Sequence, residues 1–305
     1  MKAIVGYLKS YLQTVNKRLF ILSSLFAGIA IFVNYYYNLN GWINSLTDGQ
    51  EFIAWYILFL IAFSFAYGIP ALWGQSTVFK YRGFRLLLFI APAIFAWKMS
   101  FDFYIPIASD WFENAYWNRV LYWPFKLLVM IVCLLIVWRL FDREQPFYGL
   151  SHKGFSIKPY LLMLLIMVPL IAAASTQPDF LAMYPKFRNL AFLSGERSNG
   201  WFKVLYELSY GIDFVGIELF FRGFLILAFV KWAGKDAVLP MAIFYCTIHF
   251  GKPLGECISS FFGGLILGVV TYHTRSIYGG LLVHLGIAWL MELGGYLGRM
   301  YVDYN

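Results

Sequence analysis

Residues 53–73 read Ile-Ala-Trp-Tyr-Ile-Leu-Phe-Leu-Ile-Ala-Phe-Ser-Phe-Ala-Tyr-Gly-Ile-Pro-Ala-Leu-Trp, with no charged side chain among them. About 20 consecutive apolar residues wound as a helix match the hydrocarbon thickness of a bilayer. A chain crossing that layer finds no water for its peptide groups, so it satisfies them internally as a helix. Outward from this stretch, runs of the same kind lie at 19–38, 84–102, 123–141, 159–175, 204–232, 237–250, 257–274 and 278–297. The expected fold is therefore all-α, a polytopic transmembrane helical bundle of roughly eight or nine spans, the count turning on the short run 237–250.

The composition of the 305 residues agrees. Hydrophobic residues make up 61%, charged residues only 13%, and the mean hydropathy is +0.66. A water-soluble domain of this size has too little interior for so much apolar surface, so the lipid bilayer is the first partner. The 22 Tyr and 11 Trp suit the headgroup level on either side of a membrane. The balance of 24 Lys+Arg against 16 Asp+Glu gives a net charge of +8. These cations stand between apolar runs, at Lys2, Lys9, Lys17 and Arg18, then Lys80, Arg82 and Arg85, then Arg139, Arg143, Lys153 and Lys158. That is topology charge, and no nucleic-acid partner is expected. Cys133, Cys246 and Cys257, odd in number and in apolar surroundings, define no disulfide framework.

The lead-in from Met1 to Arg18 is amphipathic and is expected along the inner membrane surface, ahead of a retained first span. Since 39–52 holds no Lys or Arg, the amino terminus is expected in the cytoplasm, with the protein multi-pass in a prokaryotic plasma membrane. Three parts are expected: membrane helices over 1–175, a polar connection over 176–203 that holds Lys186, Arg188, Glu196, Arg197 and Lys203, and a membrane domain over 204–305.

An ionisable residue inside a span costs several kcal/mol and needs a partner or a purpose. Glu218 and Arg222 are four apart, stacked on one face of an α-helix. They can pair there for burial alone, which would need no function. His249 closes the apolar run 242–250, where an imidazole also serves as a helix cap. With Cys246 three residues before and Cys257 across the turn, it raises zinc as an alternative, though no further ligand pair completes a closed site. His284 lies deep in the run Gly279–Trp289 beside small residues that allow close helix approach. Glu207, Asp213 and Glu292 form a fourth group, with Glu207 expected at the water interface. Gly263-Gly264 and Gly268 are expected to draw the following helix, and with it His284, close. A carboxylate, an arginine and two imidazoles can then converge, the setting in which a carboxylate takes a proton from water and an imidazole steadies an oxyanion.

Glu218-Leu-Phe-Phe-Arg222-Gly223, then Tyr245 four ahead of His249, then Gly263-Gly-Leu-Ile-Leu-Gly268 leading through Arg275-Ser276-Ile277-Tyr278 to His284, resemble the CAAX-processing and bacteriocin-processing (CPBP, or Abi) membrane proteases. The resemblance covers residues 205–292. It implies an intramembrane endopeptidase acting on membrane-associated proteins or peptides, prenylated or leader-type, in which a glutamate activates water without a metal or other cofactor. One histidine would hold that water and another would stabilise the tetrahedral oxyanion. Matched position by position, Glu218, Arg222, His249 and His284 are the implied catalytic residues. Two positions depart from the pattern. Ile217 stands where the family has the first of two adjacent glutamates, usually taken as the base, and Ala288 stands where it has a polar residue four after the third-motif histidine. Tyr245 replaces a phenylalanine. Two further readings stay open: a catalytically impaired member that binds a membrane peptide or partner, and a transporter, for which interrupted helices in two pseudo-symmetric halves would be needed and are not found.

Overall fold

The computed structural model describes residues 2–152, 155–190, 192 and 200–304; Lys153, Glu196 and Arg197 lie outside them. The main helices are α1 (Lys2–Thr14), α2 (Lys17–Tyr37), α3 (Asp48–Leu72), α4 (Arg82–Ser100), α5 (Trp111–Phe141), α6 (Lys158–Ala174), α7 (Gly200–Glu218), α8 (Val238–Thr247), α9 (Leu254–Thr274) and α10 (Tyr278–Tyr304). No β-strand occurs among the described residues. The chain is an all-α, polytopic membrane bundle. Among the described residues, six helices are long and apolar enough to cross a bilayer: α2, α3, α4, α5, α9 and α10 over Tyr278–Tyr301. The other apolar runs fold as the 17-residue α6, as α7 continuing into a ten-residue π-helix, Leu219–Ala228, and as the ten-residue α8. At 1.5 Å per residue α8 is about 15 Å long, half the hydrocarbon thickness.

Local chemistry sets the ends. The Asn16 side chain accepts hydrogen bonds from the Arg18 and Leu19 amides at 3.1 and 3.2 Å and so starts α2. Asn38, in the left-handed region at φ 50°, ends it. Along α2, Ile21, Leu25, Ile29 and Phe32 are each more than half exposed. Their spacing makes an unbroken apolar stripe, which lipid covers.

Two compact units are assembled from discontinuous stretches. The first comprises Met1–Phe101, Cys133–Gly154 and Leu219–Tyr278; the second comprises Asp102–Val132, Phe155–Glu218 and Gly279–Asn305. The first unit is built on rings. Phe59, Phe63, Phe84, Phe95, Phe220, Phe221, Phe229 and Phe244 are at most 1% exposed, and they meet edge-on or tilted at centroid distances such as 4.7 Å for Phe59–Phe244 and 4.9 Å for Phe95–Phe220. α8 packs antiparallel on α9, for a side chain at Gly268 would strike Met241 and Val238, and one at Gly264 would strike Tyr245 and Ala242. The small residues of α9 thus admit the preceding helix, where the following one was expected. Glycines matter here because helix association in lipid rests on close packing.

The second unit is sealed along α10. Gly279 faces Tyr160, Gly286 faces Leu164, Gly294 faces Ile171 and Gly298 faces Ser175, so α6 and α10 run parallel. On another side of α10, Gly211 of α7 meets Leu285 and Trp289, and Trp289 Nε1 donates to the Glu207 carbonyl at 3.4 Å. Phe214 packs edge-on to His284 at 4.7 Å. These pairings run in opposite order, so α7 and α10 are antiparallel.

Candidate active site

Glu218 is the last residue of α7 and is wholly buried. The antiparallel pairing of α7 and α10 carries His284 to it. His284 Nδ1 lies 2.9 Å from Glu218 Oε1, with the imidazole only 13% exposed. On the other carboxylate oxygen the neighbour is a glycine. A Cβ at Gly280 would stand 2.4 Å from Oε2, well inside contact distance, so only glycine leaves this carboxylate its position. The expected meeting of Glu218 and His284 is therefore present, and Gly280, read from the sequence only as a small residue, is what makes room for it.

Beyond Glu218 the winding changes. From Leu219 to Ala228 the backbone is a π-helix, a loosened i→i+5 form that recurs at functional sites. Arg222, also wholly buried, lays its guanidinium 4.0 Å from the centre of the Tyr245 ring. The edge of the same ring meets the His249 imidazole at 4.7 Å. Tyr245 thus joins Arg222 to His249 in the first unit, and a phenylalanine ring would present the same face. In a water-poor site such a cation–π contact is worth about 2 kcal/mol.

His249 follows α8 in the turn before α9, and it is half-buried. Its Nδ1 lies 2.9 Å from the Tyr245 carbonyl oxygen. A carbonyl only accepts, so Nδ1 carries the proton, and a neutral ring has its lone pair on Nε2. The turn is secured from α2, where Asn34 Nδ2 donates to the Phe250 carbonyl at 2.9 Å and the Tyr35 hydroxyl to that of Lys252 at 2.5 Å. At the last residue of α1, just ahead of the start of α2, Lys235 donates to the Thr14 carbonyl.

The π-helix has its own support. Tyr148, left-handed at φ 37° and buried, presses its backbone onto Gly223, where a Cβ would stand 2.5 Å from the Tyr148 oxygen. The Tyr148 hydroxyl donates to Asp142 at 2.9 Å, and Asp142 pairs with Lys231 at 2.7 Å. Burial and the Asp142 charge push the Tyr148 phenol far above its ordinary range, so it remains a donor. Just beyond, the Ile277 amide donates to the Gly149 carbonyl at 3.1 Å and the Ser276 hydroxyl to that of Ser151 at 2.6 Å. None of this was legible in the motif spacing.

The remaining expected residues fall elsewhere. Ile217 and Ala288 are buried, 8% and 4% exposed. The carboxyl of Glu207 adjoins that of Glu292, its oxygens buried among protein atoms, and Glu292 Oε2 accepts the Lys186 amide at 2.8 Å. Asp213 is half-buried. Cys246 and Cys257 face each other's backbone carbonyls. Among the described residues no three His, Cys, Asp or Glu side chains gather as metal donors would.

Compared with known families, residues 200–290 match the one described as type II CAAX prenyl endopeptidase Rce1-like. Neither the curated proteins nor the solved structures give a match. The matched stretch runs from α7 to α10 and contains Glu218, Arg222, His249 and His284. This stretch of the chain is similar to the Rce1-like family, a likeness consistent with membership of the CPBP family of membrane proteases.

Proposed function

We propose that the protein is an intramembrane endopeptidase that hydrolyses peptide bonds of membrane-associated, prenylated or leader-type proteins with a glutamate-activated water. The observation that carries this reading is the buried Glu218–His284 pair at 2.9 Å, inside the Rce1-like stretch. In the proposed reaction Glu218 takes the proton of water at Oε2, beside Gly280, while His284 holds Oε1. The hydroxide adds to the scissile carbonyl, and the proton passes to the leaving amine. His284 protonated on both nitrogens gives Nδ1–H to the carboxylate and has Nε2–H for the oxyanion. The roles left for His249 and Arg222 are those the family resemblance implies, the histidine to hold the attacking water through its Nε2 lone pair and the arginine to supply positive charge. The proposed steps invoke no metal.

The proposed orientation puts the amino terminus in the cytoplasm of a prokaryote and the His249 turn toward the outer face. It is supported by the placing of Lys235 and of that turn at opposite ends of α2.

A second reading is a catalytically impaired relative that binds a membrane peptide. It is favoured by the apolar, buried Ile217 and Ala288, which stand where the resemblance calls for polar residues. One experiment separates the two. The purified chain in liposomes is offered a library of membrane peptides, prenylated ones included. Cleavage that is lost in Glu218→Gln and His249→Ala, and enhanced in Ile217→Glu, supports the peptidase. Binding without turnover in any variant supports the second reading.

A further inference from the structure

Cys246 lies near the end of α8 and Cys257 in the first turn of α9, on either side of the turn that carries His249. The glycine seam between these helices continues upward from Gly268 and Gly264 to the level of Cys246 and Ser260, and it draws the two backbones together. The sulfurs meet there. Cys246 Sγ is 3.6 Å from the Cys257 carbonyl and Cys257 Sγ is 3.9 Å from the Cys246 carbonyl. The two thiols also lie within hydrogen-bonding reach of each other. Such reciprocal contacts place each thiol against the other residue's backbone, the kind of neighbourhood from which a disulfide can close. Both residues are buried, at 1% and 0% exposure, and both are free thiols.

We propose that Cys246 and Cys257 form a redox-active dithiol, closed to a disulfide by a small, membrane-permeant hydroperoxide. Burial selects the oxidant: a bulky disulfide cannot reach these sulfurs, whereas hydrogen peroxide is close to water in size. One sulfur, deprotonated, attacks a peroxide oxygen; the O–O bond breaks, the departing hydroxide takes up a proton as water, and a sulfenic acid is left. The second thiol displaces its hydroxyl as another water and forms the S–S bond. Two thiols and one peroxide thus give one disulfide and two waters, and a thiol reductant small enough to reach the buried sulfurs reverses the change.

The bond would enclose the segment that holds His249. That segment is already tied to α2 through Asn34 and Tyr35, so closure removes its remaining freedom on the α8–α9 side. The redox state of the pair then sets how far His249 can move, whether or not the protein cuts peptide bonds.

The test uses the full chain in liposomes, treated with hydrogen peroxide, then unfolded, alkylated and mapped by mass spectrometry, which tells Cys133 from the other two. The expected result is that Cys246 and Cys257 escape alkylation and their peptides appear joined, lacking two hydrogens, until a reductant separates them. A rise in the thermal midpoint should accompany closure and be absent in Cys257→Ser. The proposal is overturned if both cysteines are still alkylated after exposure, or if each is oxidised singly to sulfinic acid without a cross-link.

Discussion

His284 Nδ1 stands 2.9 Å from Glu218 Oε1, so a carboxylate with no solvent exposure is held by an imidazole from another helix. Removing either partner should have a distinct result. Glu218→Gln keeps the shape and removes the base, and cleavage should fall by about a hundredfold or more with little change in melting temperature. His284→Ala leaves the buried carboxylate without its imidazole and should cost about 2 kcal/mol or more of stability as well. Thermal unfolding in detergent beside peptide turnover reads both.

Gly280→Ala tests the same carboxylate from its other side. In a helix this exchange is ordinarily stabilising by about 0.5–1 kcal/mol. Here the new methyl would lie 2.4 Å from Glu218 Oε2. The expected outcome is reduced stability and loss of turnover, and a more stable, fully active variant would show that the carboxylate does not need this position.

Arg222 and His249 share the ring of Tyr245. Tyr245→Phe keeps the aromatic face and should stay within about 1 kcal/mol of the parent, whereas Tyr245→Leu should lose about 2 kcal/mol by removing the face on which Arg222 rests. Equal melting temperatures for the two variants would remove the cation–π contact as a source of stability.

Gly223→Ala probes the π-helix. A Cβ there would stand 2.5 Å from the Tyr148 carbonyl oxygen, a backbone atom that cannot rotate away. The loop around Tyr148 would have to lift, with a loss of about 1–3 kcal/mol, and heat denaturation of the variant measures it.

Asp236, in the short 3-10 turn Gly234–Ala237 just ahead of α8, is pushed above the ordinary carboxylate range by burial, opposed by the Lys235 charge. A raised carboxyl favours the folded state while protonated and loses that advantage as pH climbs through its folded-state value. Asp236→Asn should therefore melt higher than the parent at neutral pH, and the gap should close as pH falls below the ordinary carboxylate range. A gap unchanged across that pH interval would contradict the burial effect.

The apolar runs, the charges between them and the order of Glu218, Arg222, His249 and His284 could be read from the sequence because they answer to local rules. Lipid offers no partner to a peptide group, so a long uncharged run becomes a helix whatever surrounds it. Partners across the fold could not be read so. That Glu207 abuts Glu292, that Gly264 and Gly268 receive α8, and that Gly280 vacates the space beside Glu218 depend on which helix faces arrive opposite one another. Many sequence-distant packing contacts together decide that. The π-winding after Glu218 belongs with these, since Leu219–Ala228 has the composition of an ordinary apolar helix. Only the tertiary structure, with Tyr148 seated on Gly223 and Arg222 resting on Tyr245, shows what accompanies the looser turn.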